Sequence, residues 1–388
     1  MAEAISLVLS RNFSAVQIKP KGVAMKRRQF FQAAGSGLVF SAIAKPAIAQ
    51  ANPEIRWRLA SAFPKSLDTL WGGAETFSKY LAEATNGRFQ VQLFAPGEIV
   101  GAGAGVDAVG NGTVEMGLMG SNSFAGIDPT FALASTTPFG LNTRQQNAWM
   151  YQGGGIDLWN EFYAKYNIYA LPAGNTGAQM GGFFRKEVKS LEDLRGLKFR
   201  IAGLTGQVMS KLGAVPQQIA AGDVYPALER GTIDAAEWVG PYDDEKLGLA
   251  RVAPYYYYPG FWEGGAMVHL FINKQKWDGL PKDYQSIVQS VAARVNIEML
   301  AKYDAENPAA LRRLVAAGAQ LRPFSVEIMD AAFRATSELY NEISAKNPTF
   351  KKMIDTLLAF RDEEYLWFQV SEYSYDSYMV RARAKASR

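Results

Sequence analysis

The chain has 388 residues, of which 48% are hydrophobic and 20% are charged, with no cysteine and one histidine. One hydrophobic core seldom serves a chain of this length, so we expect two lobes of roughly 100–200 residues each. The absence of thiols excludes disulfides, thiolate metal sites and a cysteine nucleophile, and a single histidine disfavours hydrolases and multi-histidine zinc sites.

The first 49 residues are typical of an export signal. Paired arginines at 27 and 28 follow Met25, an apolar run spans 33–44, and small residues precede a cleavage point after Ala49. We predict that translation starts at Met25, that the twin-arginine signal directs export of the folded protein to the periplasm, and that the leader is then cleaved. The alternative is an ordinary secretory leader with a basic start.

Removal of this leader changes the charge balance, because it carries seven of the basic residues and one acidic residue. The remainder has 34 basic and 36 acidic residues. Overall basicity therefore gives no reason to expect nucleic acid or an anionic membrane surface as a partner.

From residue 54 onward, hydrophobic periodicity predicts alternating strands and helices. A strand at 54–60 is followed by a helix at 69–85, a strand at 89–94 and a helix at 106–110. This β-α-β-α order predicts a mainly parallel sheet with helices on its faces. Further strands are predicted at 114–119, 168–173, 181–184, 198–201, 235–238 and 265–272, and long helices at 284–317, 327–345 and 350–384.

Two sequence features disfavour enzyme or nucleotide chemistry. His269 lies within an apolar strand, which predicts a buried, hydrogen-bonded core residue. Residues 103–108 match the relaxed dinucleotide pattern G-x-G-x-x-G/A, but the glycines lie past the strand end and no suitable acidic residue follows. We therefore predict a loop before a helix there.

Arg200 lies at the end of a short predicted strand. Leu197, Phe199 and Ile201 alternate on one face of it, and Lys198 and Arg200 on the other. A guanidinium in that position can offer two parallel N–H donors to a small carboxylate. A solvated position on the sheet face is the alternative.

Glu237 occupies an apolar run, residues 233–240, where burying its carboxylate costs several kcal/mol unless something neutralises it. Arg200 could do so as a salt bridge. Alternatively, Arg200 holds an anionic ligand and a cation lies between the ligand and Glu237. The available ligand atoms are oxygens from Gln179, Glu237, Glu263 and the main chain near Trp238, which suit Na⁺ or Ca²⁺.

Together these segments resemble the extracytoplasmic solute receptors of TRAP transporters, the tripartite ATP-independent periplasmic carriers of bacteria, and especially the branch that binds 2-oxo acids such as pyruvate. The resemblance covers about residues 54–388. The segments that carry it are FAPGE at 94–98, GTVEMG at 112–117, TPFG at 137–140, residues 191–203, and LERGTIDAAEW at 228–238.

The resemblance implies an α/β fold of two lobes that close over the ligand, with a long C-terminal helix. Lobe I would comprise residues 50–177 and 266–305, lobe II residues 178–265 and 306–345, and the helix residues 346–388. In that branch this helix reaches a second protomer. The aromatic residues along the predicted helix therefore imply a homodimer. Packing of those residues on the chain's own body is the alternative.

The resemblance also implies roles for individual residues. Arg200 would pair with the substrate carboxylate, and Gln179 would contact both the substrate and a metal ion. Glu237, the carbonyl of Trp238 and Glu263 would complete the metal site, with Na⁺ as the expected ion and Ca²⁺ as the alternative.

The implied function is capture of a small carboxylate and its delivery to the membrane permease subunits, without enzymatic turnover. Lactate, another 2-hydroxy acid or a cyclic carboxylate held with calcium is the first alternative. An enzyme exported in its folded state is the second.

Overall fold

The computed structural model describes residues 52–201 and 203–386. The predicted leader, with its start at Met25 and cleavage after Ala49, lies outside the described residues.

The described ranges form two groups of strands and a series of helices. The strands are β1 (Ile55–Ser61), β2 (Phe89–Phe94), β3 (Met116–Gly120), β4 (Ile168–Asn175), β5 (Gly182–Phe184), β6 (Lys198–Arg200), β7 (Val215–Gln217), β8 (Ala235–Ala236), β9 (Tyr255–Tyr258), β10 (Met267–Asn273) and β11 (Gln320–Pro323). The helices are α1 (Leu70–Ala84), α2 (Gly105–Gly110), α3 (Thr130–Leu133), α4 (Thr143–Gln152), α5 (Gly155–Tyr163), α6 (Gly203–Lys211), α7 (Ala221–Glu229), α8 (Pro241–Lys246), α9 (Lys274–Asp278), α10 (Lys282–Ala316), α11 (Val326–Ser344), α12 (Pro348–Val370) and α13 (Glu372–Ala386).

The first sheet has five strands in the order β2-β1-β3-β10-β4. β1 pairs in parallel with β2 and β3, while β10 is antiparallel to both β3 and β4. Four strands therefore share one direction, which confirms the mainly parallel sheet predicted from the β-α-β-α order. Its single reversed strand, β10, is buried along its whole length.

His269 on β10 is a core residue, only 1% exposed. Burial lowers the pKa of its imidazole to about 3, so the ring is neutral. It lies against the aromatic rings of Tyr163 and Phe271. The predicted burial is confirmed, and the hydrogen bond predicted for the ring stays a prediction.

The second sheet has six strands in the order β11-β9-β5-β8-β6-β7, with only β5 running against the others. The sequence pattern missed β7, β9 and β11. The two edge strands β7 and β11 contain Pro216 and Pro323, and proline weakens any strand pattern. β9 consists of four consecutive tyrosines, so it shows no alternation.

The chain crosses from the first sheet to the second between Asn175 and Gly182, and returns between Tyr258 and Met267. Helix α10, about 50 Å long, contributes Val295 to the core beside the first sheet and Leu314 to the core beside the second. These crossings lie close to the predicted lobe boundaries. The division into two lobes that move relative to each other stays a prediction.

The C-terminal segment differs from the single helix expected over 350–384, because α12 ends at Val370 and α13 begins at Glu372. Two serine side chains bond back to the preceding turn at this break. The Ser371 hydroxyl donates to the carbonyl of Trp367 at 3.0 Å, and the Ser374 hydroxyl donates to that of Val370. Such bonds compete with the main-chain ladder and bend helices.

None of the helices in the described ranges has the combination of length and apolar character that crossing a membrane requires.

Candidate functional site

A cavity of about 320 Å³ lies between the two sheets. Gly120 and Val268 line it from the first sheet, and Arg200 lines it from the second. All five predicted site residues are lining residues: Gln179, Arg200, Glu237, Trp238 and Glu263. The structure thus brings together residues that are up to 84 positions apart in the sequence.

Arg200 ends β6, whose neighbours follow the predicted alternation, with Phe199 fully buried and Lys198 exposed. The guanidinium forms an ion pair with Glu237, with 2.5 Å between Nη1 and Oε1. Nη1 also donates to the main-chain carbonyl of Glu237, and Nε donates to that of Ile219 at 3.3 Å. Arg200 is thereby held rigidly, and the direct salt bridge considered from the sequence is present.

The remaining nitrogen of this guanidinium, Nη2, makes no hydrogen bond to any residue of the described chain. The Arg200 guanidinium also stacks on the indole of Trp238, 4.7 Å from the ring centroid. Arg200 therefore keeps one pair of N–H donors for a further acceptor, in an orientation fixed by its other contacts.

Gln179 lies in the segment that crosses from the first sheet to the second. Its Nε2 donates to the hydroxyl of Thr176 at 3.0 Å, and its main-chain N–H donates to the carbonyl of Glu263 at 3.3 Å. The amide oxygen Oε1 is buried and has no hydrogen-bond partner among the described residues. A buried acceptor without a partner costs about 1–3 kcal/mol, which a ligand or an ion could recover.

Glu237 and Glu263 are 6% and 8% exposed. Burial raises the pKa of Glu237 to about 7, although the nearby Arg200 opposes the shift. Burial also raises the pKa of Glu263 well above its usual value, and the charge of Glu237 adds to the effect. A single guanidinium thus faces two carboxyls, so the site lacks positive charge whenever both are ionised.

Two further buried carboxyls, which the sequence analysis missed, lie on α8 just beyond Trp238. Asp243 accepts a hydrogen bond from the hydroxyl of Tyr303, and Asp244 accepts one from Tyr256, both at 2.7 Å. Burial raises their pKa values to about 6 and about 7. No sequence signal identifies this pair, because one tyrosine comes from α10 and the other from β9.

The donor set fits a hard cation. The carboxylates of Glu237 and Glu263, the unpartnered oxygen of Gln179 and the main-chain carbonyl of Trp238 are all oxygens, the atoms that Na⁺ and Ca²⁺ prefer. No group of three or more acidic, histidine or cysteine side chains able to hold a metal occurs in the described ranges. A site here would therefore combine two carboxylates with neutral oxygens.

Thr205 is a second residue that the sequence analysis missed. It lies in the first turn of α6, five residues after Arg200, and it lines the cavity. Only the fold could reveal it, since threonine near a helix start is common.

Comparison with known proteins decides the family. A family described as bacterial extracellular solute-binding protein, family 7, matches residues 60–347. The chain belongs to this family. One relative within it is a monocarboxylate 2-oxoacid-binding periplasmic protein of Nostoc sp. (strain PCC 7120), which is 46% identical over 360 residues. That alignment covers 91% of this chain and 99% of the relative.

Solved structures of family members share the fold. A TRAP transporter solute-binding protein from Bordetella bronchiseptica is 48% identical with a TM-score of 0.85, and the match covers 86% of this chain and 100% of that one. It was solved as a dimer of mixed occupancy, with copurified calcium and picolinate in the active site. A second solute-binding protein, from Pseudoalteromonas atlantica with bound sodium and pyruvate, is 34% identical with a TM-score of 0.81. That match covers 84% of this chain and 99% of the other.

These similarities confirm the predicted TRAP solute receptor and its two-sheet α/β fold. The protein is a periplasmic solute receptor, as predicted, and its family serves transport and is not a family of enzymes.

Proposed function

We propose that this receptor binds a small monocarboxylate 2-oxo acid such as pyruvate together with a metal ion, and delivers the acid unchanged to a TRAP permease. One observation carries the proposal: Arg200, with a free pair of donors, faces the same cavity as the buried Glu237 and Glu263. An anion alone would be attracted by Arg200 and repelled by the two carboxylates. A cation bound beside it removes that repulsion.

In this proposal the cation is held by Gln179 Oε1, Glu237, the Trp238 carbonyl and Glu263. When bound, the ion neutralises the carboxylates and attracts ligand oxygens. Gln179 also contacts the substrate, and Arg200 receives the substrate carboxylate. The all-oxygen donor set and the unpartnered Gln179 oxygen support these assignments.

The ligands of the relatives support the substrate class. Pyruvate and picolinate each carry a carboxylate and a second donor atom on the adjacent carbon, so both can bind one cation through two atoms. A 2-oxo acid has the same arrangement. The cavity, about 320 Å³, is at the small end of ligand sites, which favours an acid with few carbon atoms.

Sodium is the ion that we propose, as in the Pseudoalteromonas relative with bound pyruvate. Calcium is the alternative, since a relative from Colwellia psychrerythraea was solved with calcium and pyruvate. The Bordetella protein, which holds calcium and picolinate, favours a second candidate on the same site: a 2-hydroxy acid such as lactate, or a cyclic carboxylate, bound with calcium. Both candidates use Arg200 in the same way. They differ in the bound ion and in the size of the acid that the cavity must hold.

We also propose a homodimer formed through the C-terminal helices. Tyr365, Trp367, Tyr373, Tyr375 and Tyr378 are exposed there, and we call these five residues the terminal aromatic surface. Exposed aromatic clusters of this kind are typical of protein interfaces. The Bordetella relative was also solved as a dimer, which supports a dimeric assembly.

Calorimetry on the purified receptor tests the proposed function. Pyruvate, lactate and picolinate are titrated in sodium, calcium or potassium buffers after removal of bound metal and ligand. We expect saturable binding of pyruvate that requires sodium, with the acid recovered unchanged. Turnover of the acid would favour an exported enzyme instead.

Variants locate the site. Arg200→Ala and Arg200→Lys should each lose binding, the lysine because it lacks the planar guanidinium that bonds to Glu237 and Ile219 and still keeps donors for the ligand. Lys198→Ala is the matched control, since this exposed cation lies on the same strand, and its affinity should equal that of the wild type. Unchanged binding in folded Arg200→Lys would remove Arg200 from the site.

A further inference from the structure

Helix α6 begins beside the cavity, directly after the strand that carries Arg200. Gly203 opens the helix with a φ of +64°, a conformation that glycine adopts without strain. A side chain at this position would also lie 3.4 Å from the hydroxyl of Thr136. The helix is nine residues long, and Arg200, Ile201 and Thr205 around its first turn all line the cavity.

Thr205 carries an unsatisfied polar group at this point. The residue is 2% exposed, and its hydroxyl has no hydrogen-bond partner within the described part of the chain. A threonine in a helix commonly bonds back to a carbonyl one turn earlier, and this one does not. The hydroxyl is therefore available as a donor at the wall of the ligand cavity.

The helix start adds to this availability. The first main-chain N–H groups of a helix have no partner within the helix, and its N-terminus carries a partial positive charge. Anions bind at such ends. The unpartnered hydroxyl is an independent observation at the same wall, and it can donate to the same ligand.

Arg200 alone leaves part of a carboxylate unsatisfied. Its Nε and Nη1 bond to Ile219 and Glu237, so Nη2 remains for the ligand. A carboxylate has two oxygens and about four acceptor positions. The two N–H groups of Nη2 and one contact with the cation fill at most three of these positions, so at least one remains for another donor.

We propose that the Thr205 hydroxyl and the first-turn N–H groups of α6 bind the ligand carboxylate alongside Arg200. This inference rests on the proposed function, because it names further contacts of the same ligand. It assigns Thr205 to binding of the ligand carboxylate. The cation remains with the protein oxygens of Gln179, Glu237, Trp238 and Glu263.

Thr205→Val tests the proposal, since valine keeps the shape and removes the hydroxyl. We expect the dissociation constant for pyruvate to rise about 10- to 100-fold, the range for losing a hydrogen bond to a charged group. The melting temperature without ligand should stay the same or rise, because an unsatisfied buried hydroxyl has been removed. Thr205→Ser, which keeps the hydroxyl, should bind within about threefold of the wild type.

Thr136→Val is the matched control. Thr136 is equally buried, its hydroxyl also lacks a partner in the described ranges, and it is not a lining residue of the cavity. Its affinity for pyruvate should not change. Cation affinity measured without the acid should be the same in all three variants.

Wild-type affinity in Thr205→Val, or an equal loss in Thr136→Val, would overturn the assignment of Thr205 while leaving the proposed function intact. Failure of the wild type to bind any 2-oxo acid would overturn both.

Discussion

The ligand cavity and the terminal aromatic surface both contain groups without suitable partners, but the groups are polar and buried in the first and apolar and exposed in the second. The cavity buries polar groups without partners, including Gln179 Oε1, the Thr205 hydroxyl and two carboxyls that share one guanidinium. The terminal helices expose apolar groups without cover, and α13 has no buried residue.

The chemistry of each region indicates which kind of partner would bind there. Buried polar atoms are satisfied by an ion and a small anion, because only charged or hydrogen-bonding groups recover the lost solvation. Exposed rings are covered by another apolar surface, because their burial is driven by loss of contact with water. The comparison therefore predicts that ligand binding and dimerisation can be separated by mutation.

Removal of residues 371–388 should have the largest effect. Interface aromatics each contribute on the order of 1–2 kcal/mol, so we expect the dimer dissociation constant to rise about 1,000-fold or more. Sedimentation measures the mass, and calorimetry should show unchanged affinity for pyruvate. Val326→Ser is the control, because it removes an apolar side chain that is 76% exposed on α11 and should leave the dimer intact. A truncated chain that stays dimeric would assign the interface elsewhere.

Glu263→Gln should have the next largest effect, confined to the cavity. We expect cation affinity to fall about 100-fold through loss of one charged ligand, worth roughly 3 kcal/mol. Without the ion the variant should be at least as stable as the wild type at pH 8, because glutamine resembles the protonated form. Asp223→Asn, on the exposed surface of α7, is the control. Retained cation affinity in Glu263→Gln would remove Glu263 from the metal site.

The pH dependence follows from the same carboxyls. Burial raises the pKa values of Glu237 and Asp244 to about 7 and that of Asp243 to about 6. The folded protein therefore holds protons that the unfolded chain has already released. Its free energy of unfolding must fall as pH rises from about 5 to about 8.

A metal-free thermal scan should show this as a decrease in melting temperature, on the order of a few degrees. Cation affinity should change in the other direction and rise about tenfold from pH 6 to pH 8, because the ligands must lose their protons first. A melting temperature that increases with pH would contradict the raised pKa values.

The smallest expected effect concerns a contact that bridges the two sides of the cavity. Asp68, just before α1, accepts hydrogen bonds from the Tyr242 hydroxyl on α8 and from Lys302 on α10, and it pairs with Lys246. Asp68→Asn should weaken pyruvate binding about fivefold, since partly exposed ion pairs contribute up to about 1 kcal/mol. Faster ligand dissociation should account for the loss.

Glu83→Gln is the control for that contact, because its partner Lys79 lies on the same helix. Equal dissociation rates in both variants and the wild type would show that the Asp68 contact does not hold the ligand.

The sequence specified the elements whose signal is local. The alternation around Arg200 predicted β6, and hydrophobic periodicity predicted α1 and α10 to within about two residues. The edge strands β7 and β11 were missed because proline weakens a strand pattern, and no pattern in the sequence marked the break at Ser371.

For the site, the sequence by itself determined which residue types could hold a carboxylate and a hard cation: one arginine, acidic residues in apolar segments, and no thiol. Only the tertiary structure decided that Arg200 and Glu237 form a direct ion pair, that Asp243 and Asp244 are buried against tyrosines, and that the Thr205 hydroxyl has no partner. The reason is physical. Periodicity along the chain indicates whether a side chain is buried, but which buried polar groups find partners depends on contacts between segments that are distant in the sequence.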